Sequence, residues 1–169
     1  MKAILRKVTC ILATMAVMIG IISPQVEAAS VKYNTYKNTR FTYSVKYPTT
    51  FTNKSDYSSG DGIKLVSSNK KAQATIWNSY GKSNKRNGKS VVANAKKSRK
   101  IKVVKANSKE CSYTYNSGKN IVQYYYCFLS NGEIAFQITY PKSEKAYYSA
   151  AVKGMINSVK ANKKLILKD

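Results

Sequence analysis

Alternation of apolar and polar residues predicts that most of this chain forms an antiparallel sheet. Residues 40–47 alternate between aromatic or aliphatic and polar side chains, which is the two-residue period of a half-buried strand. Pro48 is expected to end that strand. The polar residues before it, 29–39, predict an irregular lead-in, and the Ser-, Gly- and Asp-rich residues 52–62 predict a loop.

A hairpin follows this loop, with strands over 62–68 and 71–79 joined at Asn69-Lys70. In this register one side of the hairpin is consistently apolar, and Trp77 lies on the other side. The facing apolar pairs are Ile63 with Ile76 and Leu65 with Ala74.

Four further strands are predicted in the second half of the chain, over 101–106, 110–116, 121–129 and 133–140. The last three form a meander. Asn131-Gly132 is the strongest hairpin signal in the chain. It pairs apolar residues along one face: Leu129 with Ile134, Cys127 with Phe136 and Tyr125 with Ile138.

Two helices complete the predicted fold. After a polar, basic loop at 81–90, a short helix is expected from Ser90, as N-cap, to Arg99. A longer one is expected from Ser143 to Lys160, followed by a tail over 161–169. Helical spacing predicts its buried stripe, formed by Tyr148, Val152, Met155 and Val159.

The first 28 residues have the layout of a secretory signal peptide. A positive start precedes an uncharged, mostly apolar run over 8–22, and Val26-Glu27-Ala28 is a small-x-small cleavage signature. The alternative is an uncleaved anchor, although the run is shorter than the roughly 20 residues that span a bilayer. Cys10 lies at the start of the run, so that lipidation is disfavoured. A secreted, extracellular or cell-wall associated protein is expected.

Charge is the most unusual property of the remaining chain. The 169 residues carry a net charge of +23. Removing Lys2, Arg6, Lys7 and Glu27 from the 30 basic and 7 acidic residues leaves 27 and 6, a net charge of +21. Such a surface attracts polyanions through salt-sensitive forces, although charge that only maintains solubility is the alternative.

The types of charged residue narrow the candidate partners. The chain has 26 lysines, 4 arginines and no histidine, which favours diffuse adhesion over sequence-specific nucleic-acid recognition. The best candidate for a polyanion patch is the stretch 82–105, which contains ten cations and neither an acid nor an aromatic residue. The alternative interpretation of these cations is a solvated helix face without a ligand. The ten cations are Lys82, Lys85, Arg86, Lys89, Lys96, Lys97, Arg99, Lys100, Lys102 and Lys105.

Cys111 and Cys127 are the two cysteines that remain after removal of the signal segment. An even number in a secreted chain suggests a disulfide. If Gly118-Lys119-Asn120 forms a three-residue turn, the two cysteines lie directly opposite each other on adjacent strands, within reach of a bridge. The alternative is two buried free thiols. Without a histidine to activate it, a catalytic thiol is disfavoured.

Candidate catalytic and metal sites are weak. Asp56 and Asp61 share a Gly/Ser loop, but their spacing does not match a calcium loop, so that a turn is the better interpretation. The six acids of the mature chain are scattered, and they form no convincing catalytic pair. The expectation is therefore no catalytic residue, no metal site and no cofactor.

The order of several short motifs resembles the PsbP-like domain family over about residues 36–160. The motifs are Phe41–Pro48 (FTYSVKYP), Gly60-Asp61-Gly62 followed by the hairpin to Trp77, Gly132–Pro141 with its final Tyr-Pro, and Tyr148 with Ile156–Val159. The resemblance implies an α+β fold, an antiparallel sheet of about six strands sandwiched by helices, in one domain over 40–160. It transfers no functional residue to this chain, because a fold alone does not give function.

Together these features favour a secreted, strongly basic, non-enzymatic binding or accessory protein. Its expected partner is an anionic polymer or surface, such as teichoic acid, anionic lipid or polysaccharide, with a protein partner also considered. Two alternatives remain open: a small secreted hydrolase that uses carboxylates, with Asp61 and Glu110 as candidates, and a cationic membrane-active or antimicrobial protein.

Overall fold

The structure is a computed structural model that describes residues 30–81, 86–162 and 165. The signal segment, Lys82 and Lys85 therefore lie outside the described residues. The described strands are β1 (Tyr33–Asn38), β2 (Tyr43–Pro48), β3 (Phe51–Asp56), β4 (Gly62–Ser67), β5 (Gln73–Tyr80), β6 (Lys102–Ala106), β7 (Glu110–Ser117), β8 (Asn120–Leu129), β9 (Gly132–Pro141) and β10 (Lys160–Ala161). The helices are α1 (Gly88–Ser98) and α2 (Lys145–Ser158), the second preceded by a 3₁₀ turn over Lys142–Glu144.

Seven of these strands form one antiparallel sheet in the order β3-β4-β5-β9-β8-β7-β6, and β1, β2 and β10 form a second, small sheet. The fold is an α+β sandwich as predicted, with seven strands in its main sheet rather than about six. Among the described residues, no helix is long and apolar enough to cross a membrane.

The main sheet buries a different set of residues on each face. One face packs against α2 and β2, where Phe136, Ile138 and Met155 are almost fully buried. The other face packs against α1, where Val91 and Val92 meet β7 and β8. Hydrophobic burial on both faces is therefore what holds the two helices to the sheet.

The β4–β5 hairpin has the predicted register. Ile63 lies opposite Ile76 and Leu65 opposite Ala74, and all four side chains are buried on the α2 face. Trp77 lies on the opposite face, as predicted, and packs against the cluster beneath α1.

The predicted disulfide is wrong because the β7–β8 register differs by one residue. A two-residue turn at Gly118-Lys119 joins the strands, with Gly118 at a φ of +57°, so that Cys111 lies opposite Tyr126 and Cys127 opposite Glu110. A shift of one residue turns a side chain to the other face of a sheet. Cys111 therefore packs beneath α1, Cys127 packs on the α2 face, and both thiols are free.

The β8–β9 register also differs from the prediction, but without changing faces. The turn lies at Ser130-Asn131, so that Cys127 pairs with Ile134 and Tyr125 with Phe136. Gly132 is the first residue of β9, where a Cβ would lie 2.2 Å from the carbonyl oxygen of Ser79. A glycine at this position thus allows β9 to approach β5 closely, and its role is not to adopt a turn conformation.

Three predicted irregular segments contain ordered structure. The expected lead-in includes β1, which pairs with β2, and the expected loop over 52–62 begins with most of β3. The expected tail includes β10 and the buried Leu165, whose backbone exchanges two hydrogen bonds, of 2.8 and 2.9 Å, with the Asn131 side chain. Polar composition concealed these strands because each lies at an edge, with one row of side chains in solvent.

The longer helix keeps its predicted stripe but not its predicted cap. Tyr148, Val152 and Met155 are buried, whereas Val159 lies just after the helix and is partly buried. Ser143 belongs to the 3₁₀ turn, and Glu144 occupies the N-cap position without a side-chain capping bond.

Both cysteines should behave as free thiols, with Cys111 buried and Cys127 partly buried. Alkylation of the purified protein after denaturation without reductant should modify Cys111 and Cys127 in full, as measured by mass spectrometry. In the folded protein Cys111 should react slowly, because burial raises its thiol pKa to about 12. Reducing agent should leave the melting temperature unchanged. A peptide pair linked through the two sulfur atoms would contradict the β7–β8 register.

Candidate functional site

The short helix α1 carries much of the predicted polyanion patch. Its apolar side, with Val91 and Val92, is buried against the sheet, which turns Lys96 and Lys97 outward. These two lysines lie in the last turn, where positive charge interacts favourably with the helix dipole.

The N-terminus of α1 is held by a reciprocal pair of hydrogen bonds. Asn87, not Ser90, is the N-cap: its side-chain oxygen accepts from the Ser90 backbone N–H at 3.1 Å. The Ser90 hydroxyl oxygen accepts in turn from the Asn87 N–H, also at 3.1 Å. The Ser90 prediction was three residues late because both residue types cap helices and both take part in this motif.

Two of the ten predicted cations have structural partners. Arg86 forms a 2.9 Å ion pair with Glu133, which is only 2% exposed, and its guanidinium lies 5.5 Å from the Tyr126 ring centroid. Lys105 forms an ion pair with Glu110 at 2.5 Å. These contacts occupy both side chains, so that neither is freely available to a polyanion.

Six of the ten remain exposed, and none of the ion pairs among the described residues includes them. We call them the cationic surface: Lys89, Lys96, Lys97, Arg99, Lys100 and Lys102. They run along the outer side of α1 and continue past its C-cap, Arg99, into the edge strand β6. The structure therefore brings together six residues that the sequence only placed in one stretch.

Aromatic residues lie next to the cationic surface, although its own stretch of sequence contains none. Arg99 lies 4.6 Å from the Tyr115 ring centroid, over the ring. Tyr115 begins a ladder of near-parallel rings that continues through Tyr124 and Tyr126, with centroids 6.4 and 6.1 Å apart. Burial raises the pKa of the Tyr124 hydroxyl to about 12.

A cleft of about 660 Å³ adjoins the cationic surface on the α2 face of the sheet. It lies between β6–β7 and the first turns of α2, and its floor is formed by β7, β8 and β9. Its polar and charged lining residues include Arg99, Lys100, Lys102, Thr114, Asn116, Gln123, Tyr140, Lys145 and Ser149.

Sequence reasoning missed Lys145, Gln123 and Thr114 as members of one site. Lys145 is separated from the basic stretch by 40 or more residues and comes close only through the packing of α2. Thr114 and Gln123 are direct cross-strand neighbours in the true register. The one-residue error in the predicted register concealed that pair.

The two carboxylates considered for hydrolysis are far apart. Asp61 lies beside the start of β4 and Glu110 starts β7, with β5, β9 and β8 between them. Four strand spacings amount to about 19 Å, whereas paired glycosidase carboxylates lie about 5–9.5 Å apart. Each also has a cationic partner: Arg40, at 3.2 Å, for Asp61 and Lys105 for Glu110.

Asp56 and Asp61 flank a turn, in which the Gly60 N–H donates to the Tyr57 carbonyl oxygen at 2.9 Å. The Arg40 guanidinium donates to an Asp61 carboxylate oxygen and to the carbonyl oxygen of Ser59. Across residues 30–81, 86–162 and 165, no group of three or more potential metal ligands lies together.

Comparisons with known proteins identify the fold. No protein-family model matches the chain, and neither does any curated protein. Its structure is similar to the solution structure of cyanobacterial PsbP (CyanoP) from Synechocystis sp. PCC 6803, with a TM-score of 0.53 and 12% identity, over 78% of this chain and 94% of that one. The fold is PsbP-like.

A second similar structure is a crystal structure from Bacteroides thetaiotaomicron VPI-5482. Its TM-score is 0.48 at 14% identity, over 71% of this chain and 45% of that chain, so that this chain matches less than half of the Bacteroides protein. The PsbP-like resemblance of the sequence motifs is confirmed at the level of fold. At 12% identity the cyanobacterial structure does not transfer a function.

The cap of α1 should contribute measurably to stability. Asn87→Ala removes the side-chain acceptor for the Ser90 N–H and should lower the free energy of unfolding by about 1 kcal/mol in urea denaturation. Asn94→Ala is the matched control, because Asn94 is exposed on the same helix. Equal stability of the two variants would contradict the capping role of Asn87.

Proposed function

We propose that this is a secreted, non-enzymatic binding or accessory protein that is retained at an anionic cell surface or wall through the cationic surface. The observation that carries the proposal is the contiguous placement of six exposed cations on α1 and β6, without ion-pair partners among the described residues. Teichoic acid, anionic lipid and acidic polysaccharide are the partner classes that this surface fits.

The distribution of acids supports this proposal. Five acids lie in the described part of the chain, and three of them, Asp61, Glu110 and Glu133, form ion pairs with single cations. The acids thus neutralise three cations locally and leave the cationic surface unscreened. An unscreened cluster raises the local concentration of a polyanion and speeds association at low ionic strength.

The lysine-rich composition favours adhesion over readout of a defined sequence. Five of the six residues of the cationic surface are lysines. A lysine ammonium is a mobile point charge, whereas recognition of phosphate or base edges with fixed geometry uses the arginine fork.

The membrane-active alternative has less support. That mode of action requires an exposed amphipathic cationic helix, but the apolar residues of α1, Val91 and Val92, are buried against the sheet at 6% exposure each. Exposing them would require α1 to leave the domain. The separation of Asp61 and Glu110 likewise removes support for the carboxylate hydrolase.

Retention on purified cell walls across a salt series tests the proposal. The mature protein should bind at low salt and be released as salt rises. Replacing Lys89, Lys96 and Lys97 by Gln should reduce the slope of log K against log salt by about three, roughly one for each lost contact.

A matched triple variant on the small sheet controls for net charge. Lys32, Lys37 and Lys46 are exposed and lie on or next to β1 and β2. Replacing these three by Gln removes the same charge and should change the slope much less. Equal effects of the two triple variants, or recovery of the wild-type protein in the supernatant at low salt, would overturn the proposal.

A further inference from the structure

The cleft between β6–β7 and α2 shares three cations with the cationic surface, and it adds Lys145 and a polar floor to them. Four cations surround it: Arg99, Lys100 and Lys102 from the α1–β6 segment, and Lys145 from α2. No carboxylate is among the described residues that line it. Opposed cations across one concave site can hold an anion between them, which a convex row of lysines cannot do.

The floor of the cleft is polar, whereas the neighbouring strands β9 and β5 contribute apolar side chains to the same register row. One register row runs from Lys102 through Thr114 to Gln123, and then continues into the core with Ile138 and Ala74. The row changes from polar to apolar at β8, beside the wall of the cleft formed by α2. Donors and acceptors therefore lie at the base of the cleft, below the charged rim.

Gln123 is held in place by a buried tyrosine. The Tyr140 hydroxyl, in a residue 2% exposed, donates to the Gln123 side-chain oxygen at 3.5 Å. Because that contact engages the amide oxygen, the amide NH₂ of Gln123 is left to donate to a ligand. Gln123 is itself only 9% exposed and lines the base of the cleft.

These features define the chemistry of a fitting ligand. The volume of about 660 Å³ lies within the usual range of small-molecule sites. The cations of the rim match a phosphate, while the amide and hydroxyl groups of Thr114, Gln123 and Ser149 match the hydroxyls of a polyol.

We propose that this cleft binds a phosphate-bearing polyol unit, with the phosphate between Lys102 and Lys145 and the polyol hydroxyls on the Thr114–Gln123 floor. This inference deepens the proposed function, on which it rests, by giving the anionic surface a defined repeating unit. The unit is the same whether it comes from a polymer of glycerol phosphate or from the headgroup of phosphatidylglycerol.

Titration with glycerol 3-phosphate and with inorganic phosphate, followed by amide NMR shifts, tests the proposal. Shifts should concentrate at Thr114, Gln123 and Ser149, and glycerol 3-phosphate should bind more tightly than inorganic phosphate. Lys145→Gln should weaken binding of both about tenfold or more, since it removes a charged hydrogen bond. Lys153→Gln is the matched control, because Lys153 is exposed on the same helix and does not line the cleft.

A second variant tests recognition of the polyol. Gln123→Met keeps a similar side-chain size but removes both amide donors. It should lower the affinity for glycerol 3-phosphate toward that for inorganic phosphate and leave the latter unchanged. Thermal melting of the variant verifies that it is folded; if Met is not tolerated at this buried position, Thr114→Val provides the same test on the neighbouring strand.

Several results would overturn the cleft proposal. Equal weakening by Lys145→Gln and Lys153→Gln, equal affinity for the two phosphates, or shifts that extend to Lys89, Lys96 and Lys97 outside the cleft would each indicate charge attraction alone. Tighter binding of a carboxylated sugar such as glucuronate than of glycerol 3-phosphate would contradict the ligand class.

The cleft proposal and the proposed function can be disproved independently of each other. If cell-wall retention depends on Lys89, Lys96 and Lys97 while Lys145→Gln and Gln123→Met bind glycerol 3-phosphate like the wild type, the cleft proposal fails and the proposed function stands. If the wild type is not retained on walls, the proposed function fails, and the titration still decides on the cleft. Competition between soluble poly(glycerol phosphate) and phosphatidylglycerol vesicles then identifies the source of the unit.

Discussion

The pairing register of β7 with β8 is the constraint on which the rest of this structure depends. A two-residue turn at Gly118-Lys119 sets it, and because side chains alternate between faces, it decides which residues lie beneath α1 and which face α2. In this register the tyrosine ladder lies on the α1 face, where Arg99 covers its end. Thr114 and Gln123 then fall together on the other face and form the floor of the cleft.

Electrostatics complements this division of the sheet. Arg86, Arg40 and Lys105 each pair with one acid, and these pairs tie loops and strand ends to the sheet. Glu133 is buried, and although burial raises the pKa of its carboxyl, Arg86 favours the charged form. These three acids are thus engaged in positions of structural use, and the six residues of the cationic surface are left to face solvent, which is what a polyanion-binding role requires.

The sequence alone predicted the elements and buried faces that follow from hydrophobic periodicity. It missed the strand registers that depend on turn length, and it missed the polar strands at the sheet edges. The β4–β5 hairpin and the α2 stripe followed from spacing, because Ile63, Ile76 and Met155 repeat with the period of their elements. The predicted β8–β9 pairing was shifted by two residues, which left every side chain on its correct face. The predicted β7–β8 pairing was shifted by one residue, and this shift wrongly placed Cys111 on the same face as Cys127. Lys145 joined the candidate site only through tertiary packing, which no local pattern encodes.

The most direct test of this account is the β7–β8 register itself, measured by cross-strand nuclear Overhauser contacts between backbone protons in the isotope-labelled protein. The account predicts contacts that pair Cys111 with Tyr126 and Thr114 with Gln123. Contacts that instead pair Cys111 with Cys127 and Thr114 with Tyr124 would contradict it, because they would exchange the faces of the tyrosine ladder and of the cleft floor.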